Sequence, residues 1–146
     1  MSRFFQRAVS GAIDIDDIVD IEKNGNKVKA GFNNTYDLFC QIAAENPDAP
    51  ALTFLPSGAL DADSVRLKRG ELLGNIRQAA NMFHDLGIES GDVVSFLLPN
   101  LLETHYTLWG AQAAGIANPI NFLLGTDQIV EICDAAQTKI LVALGP

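Results

Sequence analysis

The stretch from Leu86 to Asn121, LGIESGDVVSFLLPNLLETHYTLWGAQAAGIANPIN, constrains the fold more than any other part of the chain. A helix end, a buried strand, a capped helix and a second buried strand follow one another within it. Gly87 comes directly after a helical apolar pattern and suits the left-handed position that terminates a helix. The run Val93-Val94-Ser95-Phe96-Leu97-Leu98 is apolar almost throughout instead of alternating. A strand covered on both faces, as in a parallel sheet between helices, reads this way. Pro99 lacks the N–H that a ladder needs and ends the strand. Asn100 is then placed to accept the free amides of the next helix, with Glu103 three residues on in the capping-box position. Leu102, Tyr106, Trp109 and Ala113 recur at helical offsets and predict its buried face. Gly115 closes that helix, and Ile116 to Ile120 predict a second short strand, which Asn118-Pro119 assigns to an edge or a bulge.

The flanking segments extend this order. Thr35 is predicted to cap a helix buried through Leu38, Phe39, Ile42 and Ala43 and ended by Pro47. Ala51 to Leu55 reads as a strand, and Val65 and Leu67, alternating with Arg66 and Lys68, as its half-exposed hairpin partner across a loop from Pro56 to Asp63. Glu71 to Leu86 predicts the longest helix, with Leu72, Ile76, Ala79, Phe83 and Leu86 inward. Thr126 is expected to cap a last helix that buries Ile129, Ile132, Cys133 and Ala136, and Ile140 to Leu144 to form a final buried strand. The predicted fold is therefore α/β. A parallel β-sheet flanked by helices, ordered βαβαβ from about residue 92, is preceded by a short hairpin and helices.

Composition excludes several classes of function. The 146 residues are enough for one domain with a core. With 48% apolar and 19% charged residues, the chain is globular in composition. A net charge of −8 argues against a nucleic-acid surface, which needs clustered Lys and Arg. No apolar run approaches the roughly 18 residues of a transmembrane segment. The amino terminus lacks the apolar stretch of a secretory signal. Residues 1–13, acid-free and carrying Arg3, Phe4, Phe5 and Arg7, read as a flexible arm in preference to a targeting or membrane-touching helix. Cys40 and Cys133 sit among helical apolar residues and are predicted as buried free thiols in a reducing cytoplasm.

Candidate chemistry is sparse. Asp16-Asp17-Ile18-Val19-Asp20 has the spacing of the aspartate-rich motif that binds magnesium-diphosphate, but that mechanism needs a second acidic cluster across an all-helical cavity. As a calcium loop the series fails at Ile18, where an oxygen ligand should stand, and it lacks the required glycine. The series is read as a solvated acidic helix face or linker, and no metal site is predicted. His84, near a helix end, and His105, mid-helix, are read as structural or exposed. Ser95 lies in a buried strand without the flanking glycines of a nucleophile elbow, and Tyr106 and Trp109 read as core. No glycine loop of the dinucleotide or Walker type is present. No catalytic residue is predicted. In open parallel sheets ligands bind beyond the carboxyl ends of the strands. Those ends are Leu98–Asn100, Asn121–Thr126 and Leu144–Pro146; the first is used in helix capping, and in the second Asn121-Phe122-Leu123-Leu124-Gly125 is the best-placed segment to touch a ligand, against its reading as an ordinary connecting loop.

Taken in order, these segments resemble the amino-terminal part of the AMP-forming acyl-CoA synthetases of the adenylate-forming superfamily. Asn46-Pro47-Asp48-Ala49-Pro50-Ala51-Leu52 is similar to the family's opening strand, and Leu67 to Leu86 to its first long helix and its approach. Gly87-Ile88-Glu89-Ser90-Gly91-Asp92-Val93-Val94, Leu98-Pro99-Asn100, Glu103, Gly115, Asn118-Pro119-Ile120-Asn121 and Lys139-Ile140-Leu141-Val142 follow in the family's order and spacing. The Asn-Pro-Ile-Asn variant is closer to the fatty and other organic-acid ligases than to the amino-acid-activating branch. The resemblance does not reach residues 1–33, read as an arm and acidic linker; residues 34–146 would be a truncated amino-terminal subdomain of the synthetase domain. It implies a parent enzyme that joins a carboxylate to ATP, releases pyrophosphate and passes the acyl group to CoA, using ATP, magnesium and CoA. It places the family's phosphate loop, adenine and metal motif, hinge and late lysine beyond Pro146, so the chain alone is expected to be inactive. Phe122 matches a loop that lies near the CoA nucleotide in some relatives, although Leu123 and Leu124 replace the usual glycines. The implied partners are the rest of the enzyme and a homodimer mate, with no nucleic acid. The implied location is cytoplasmic, or peripheral to a membrane in the parent. A scaffold or oligomerisation module is the alternative. A receiver-type signalling domain would need acids at the strand ends, and here they precede the sheet.

Overall fold

A computed structural model of the chain describes residues 5–6, 15–23, 29–57 and 63–145. The chain divides into two compact units, Met1–Asn34 and Thr35–Pro146. In the first, β1 (Phe5–Gln6) pairs antiparallel with β2 (Lys29–Ala30), and α1 (Ile15–Lys23) lies between them in sequence. Phe5 and Gln6, expected in a flexible arm, thus belong to a strand pair. The Asp16–Asp20 series lies on α1, with Asp16 and Ile18 exposed. The rest of the arm, the predicted loop at 23–27 beyond Lys23, and 58–62 of the hairpin loop lie outside the described residues.

The second unit opens with α2 (Thr35–Glu45) and the antiparallel hairpin of β3 (Pro50–Phe54) and β4 (Val65–Lys68), followed by α3 (Arg69–Asp85). The parallel part then runs β5 (Val93–Leu97), α4 (Leu102–Ala114), β6 (Ile116–Pro119), α5 (Thr126–Ala135) and β7 (Thr138–Ala143). Its strands are ordered β6-β5-β7, so β5 is central and β6, with Asn118-Pro119, is an outer strand as predicted. Val94 lies beside Ala117 on one side and Ile140 on the other; Phe96 lies beside Pro119 and Val142. The step from β5 to β6 and the step back across to β7 run in opposite directions. The right-handed rule for crossovers therefore sends α4 and α5 to opposite faces of the sheet.

The core gathers on the α3 and α4 face. Ala80 and Phe83 of α3, Ile88, Val94 of β5, and Ala111 and Ala114 of α4 pack together, with Ile140 and Val142 against them. Phe83 and Val94 are completely shielded, and burying such side chains contributes about 1.5–3 kcal/mol each. Close approach of the two helices depends on Gly110, where a Cβ would stand 2.5 Å from that of Ala79. Gly87 ends the α3 segment with φ +85°, the left-handed conformation expected of it.

Several local expectations give way to packing. The α4 residues buried are Thr107, Gly110, Ala111 and Ala114, while Leu102, Tyr106, Trp109 and Ala113 are half-buried. Gly110 of this set packs against Ala79 and Ala80 of α3, because only a residue this small lets two helices touch along their backbones. The N-cap of α4 is Leu101 and not Asn100, and that of α5 is Gly125 and not Thr126. The Thr104 hydroxyl instead donates to the Pro99 carbonyl, and the Gln128 side chain accepts the Gly125 N–H at 3.2 Å. Leu86 lies one residue past the end of α3 and is 59% exposed. β7 alternates instead of being buried: Ile140 and Val142 face the core while Leu141 is 49% exposed. On β6, Ile116 is exposed to the same degree. No residue of α5 is fully buried, and Cys133 on it, like Cys40 on α2, is a half-buried free thiol. Continuous double-sided burial thus belongs to β5 alone.

Candidate functional site

The parallel sheet has two chemically different ends. At the amino-terminal end of β5 the Lys139 ammonium donates to the Gly87 carbonyl and to Asp92 Oδ2, both at 2.6 Å. The same carboxylate oxygen accepts the Glu89 N–H at 2.8 Å. Lys139 and the Glu89 amide together hold the Asp92 carboxyl below the usual carboxylate range. His84, in the last turn of α3, has Nδ1 3.0 Å from the Ile88 carbonyl, which requires a proton on that nitrogen. Gly115 seats its α-carbon so close that a Cβ would meet the carbonyls of Asp92 at 2.6 Å and Glu89 at 2.9 Å. Lys139 and Asp92 tie the 87–92 turn to β7.

The carboxyl-terminal end is the side where open parallel sheets bind ligands. The Ile120 N–H continues the ladder to Phe96 at 3.0 Å, and the chain then turns through Asn121–Gly125. Asn121 Oδ1 accepts the Leu123 N–H at 3.0 Å and its carbonyl the Leu124 N–H at 3.2 Å, closing a tight turn. That turn pushes Phe122 and Leu123 outward, 49% and 78% exposed. The loop singled out in the sequence therefore presents an aromatic and an aliphatic side chain beyond the strand ends.

Between the two ends runs a polar ladder that the sequence reading did not anticipate. Ser95, fully buried, bonds Thr138 Oγ1 at 2.6 Å through its hydroxyl, which also accepts from Asn118 Nδ2 at 2.9 Å. One side chain from each strand is thus satisfied inside the sheet. The available signal was Ser95 itself, a polar residue interrupting an apolar run. Its hydroxyl is committed to neighbours, consistent with its having no nucleophilic role. His105 is half-buried on α4, and Trp109 stands edge-on to Phe39 of α2, with ring centroids 5.1 Å apart. Among the described residues no group of three or more His, Cys, Asp or Glu could hold a metal ion, and no helix is long and apolar enough to cross a membrane.

The parallel sheet thus has a pinned amino end and an open, loop-fringed carboxyl end. The sequence pattern of the AMP-binding enzyme family matches residues 39–145, and the chain belongs to that family. Marinolic acid–CoA ligase of Pseudoalteromonas sp. (strain SANK 73390) is 39% identical over 132 residues, 90% of this chain and 20% of that protein. A match of that length exceeds the second unit and so extends into the first, beyond the reach of the resemblance drawn from the sequence. The fold is similar to the inhibitor-bound N-terminal domain of FACL13 from Mycobacterium tuberculosis, with a TM-score of 0.68 and 26% identity over 77% of this chain and 27% of that one. It is likewise similar to a Mycobacterium tuberculosis fatty acyl CoA synthetase, with a TM-score of 0.67 and 26% identity over 75% of this chain and 21% of that one. The α/β fold is thus that of the N-terminal domains of adenylate-forming enzymes.

Proposed function

We propose that the chain is the amino-terminal portion of an ATP-dependent, AMP-forming acyl-CoA synthetase, which turns a fatty or other organic acid, ATP and CoA into acyl-CoA, AMP and pyrophosphate. The observation that carries this reading is the 39% identity over 132 residues to a CoA ligase, across 90% of the chain. The chain spans 20% of that relative's length, so the reaction belongs to the whole enzyme. Residues 34–146 are its amino-terminal subdomain and residues 1–33 lead into it.

Within that enzyme the chain's role is support. Triphosphate and magnesium need a cradle of amides and a cation site. The resemblance to the synthetases assigns those groups to other parts of the enzyme. Phe122, exposed beyond the end of β6, is the residue of this chain that reaches CoA, through apolar or stacking contact. The pure 146-residue chain accordingly releases no pyrophosphate from ATP and a carboxylic acid; release above background would remove the supporting role. The synthetase reading is tested by a chimera in which this chain replaces the matching segment of marinolic acid–CoA ligase. A folded chimera that forms acyl-CoA supports it, and a folded but inactive one overturns it.

The half-exposed Ile116 and Leu141 on the two outer strands favour a second reading, a scaffold or oligomerisation module. Sedimentation across a concentration series checks it, and a strictly monomeric chain would sink it.

A further inference from the structure

The second unit contains a pocket of about 250 Å³ lined by Phe39 and Ile42 of α2, Pro50 and Ala51 of β3, and Arg69 and Leu72 of α3. At about 30 Å³ per water-sized group, it has room for roughly eight to ten non-hydrogen atoms. Five of its six lining residues are apolar, and the sixth is Arg69.

The walls are held before any ligand arrives. Phe39 is braced edge-on by Trp109. The first turn of α3 is tied to the 47–49 turn by Arg69 N–H to the Ala49 carbonyl and Gly70 N–H to the Pro47 carbonyl, both at 2.9 Å. Gly70 also sits against Pro47, where a Cβ would be 3.3 Å from the ring. Those first amides of α3 are engaged, so recognition of an anion here falls to the Arg69 side chain. The bond that side chain makes inside the fold is a long one, Nη1 to the Ile42 carbonyl at 3.4 Å. It uses one of the five N–H donors a guanidinium carries, and the planar fork matches a carboxylate bidentately.

We propose that this pocket is a binding site for a small apolar monocarboxylate, with its carboxylate on Arg69 and its tail between Phe39, Ile42, Pro50 and Leu72. An inorganic anion would leave the apolar walls unused, and an apolar amine would meet the guanidinium with like charge. Both halves of the ligand are therefore required. The proposal stands apart from the synthetase reading, because it needs neither turnover nor any residue outside this chain.

The test is an amide-resolved NMR titration of the 146-residue chain with hexanoate, with acetate and hexylamine as controls. Hexanoate is expected to give saturable shifts at Ile42, Ala51, Arg69 and Leu72, while acetate and hexylamine give none. Arg69→Gln is expected to weaken hexanoate binding at least about tenfold, the scale of one charge-assisted forked contact. Arg69→Lys, which keeps the charge and loses the fork, is expected to weaken it less. Ala51→Phe, a change at an exposed strand position that fills the pocket, is expected to abolish binding with amide dispersion elsewhere unchanged. Absence of saturable shifts at those four amides, equal binding by Arg69→Gln, or equal binding of hexylamine would each overturn the proposal. If Ala51→Phe does not fold, the Arg69 pair and the hexylamine control decide it.

Discussion

The two ends of the parallel sheet are built from the same three strands and do opposite things. At the amino end, Lys139 joins β7 to the Gly87 carbonyl and Asp92, and Gly115 presses against the carbonyls of Asp92 and Glu89. At the carboxyl end, Asn121 folds a short turn on itself and leaves Phe122 and Leu123 in solvent. Charge and close backbone contact are concentrated at the end opposite the one where open parallel sheets bind ligands. The end where ligands bind is left free of such ties. Division of labour of this kind makes one end a fixed base and the other a surface whose residues can vary without unfolding the domain.

The comparison can be broken most directly at Gly115. Gly115→Ala places a methyl within 2.6 Å of the Asp92 carbonyl and 2.9 Å of that of Glu89, backbone atoms that cannot swing away. A loss of about 3 kcal/mol, read from the urea midpoint, is expected. A loss below about 0.5 kcal/mol would mean that the amino end gives way, and that it is no fixed base.

Ser95→Ala asks whether the middle of the sheet behaves like its base. It removes the hydroxyl shared by Thr138 and Asn118 and leaves Asn118 without that acceptor, at a cost of about 2 kcal/mol. A neutral result would show that the ladder is replaceable.

Lys139→Met removes the tie between β7 and the 87–92 turn. Its effect should be smaller than either of these, since both partners of the ion pair are partly exposed, and it should shrink as salt is raised. The same contact makes a pH prediction. The folded-state pKa of Asp92 is depressed, first by Lys139 and then by the Glu89 amide. Its contribution to stability is complete above the ordinary aspartate value of about 3.9 and is lost as pH falls toward the lower native value. Asp92→Asn should flatten the stability profile in that acid window alone. The stability gap between the parent chain and Asp92→Asn should be full at neutral pH and close through that window; a gap that persists unchanged at lower pH would contradict the assignment.

Leu123→Asp gives the smallest expected effect. With Leu123 78% exposed, stability should stay within about 0.5 kcal/mol of the parent chain, as judged by thermal melting. A drop comparable to that of Gly115→Ala would erase the distinction between the two ends.

Much of the fold was legible because its signals are local. Gly87, Pro99 and the largely apolar run of β5 depend on backbone chemistry and short-range pattern, and all three do in the structure what the sequence implied. The order of elements from α2 onward and the β3–β4 hairpin were readable for the same reason. Burial was less so. Leu86, Ile116 and Leu141 are as apolar as Phe83 and Val94, yet they are largely exposed because nothing in the described structure lies over them. At the candidate site, topology was enough to single out Asn121–Gly125. It could not reveal that a side-chain turn at Asn121 would turn Phe122 and Leu123 outward.

What the sequence by itself determined is the succession of helices and strands, the parallel sense of the sheet and the family to which the chain belongs. These follow from periodicity, proline and glycine placement, and the order of segments, all of which are written along one dimension. Only the tertiary structure decided that α4 meets α3 at Gly110 and Ala79, that Ser95 joins Asn118 and Thr138, and that Lys139 pins Asp92. Each of those contacts joins residues far apart in the chain, and its geometry exists only after the intervening elements have packed.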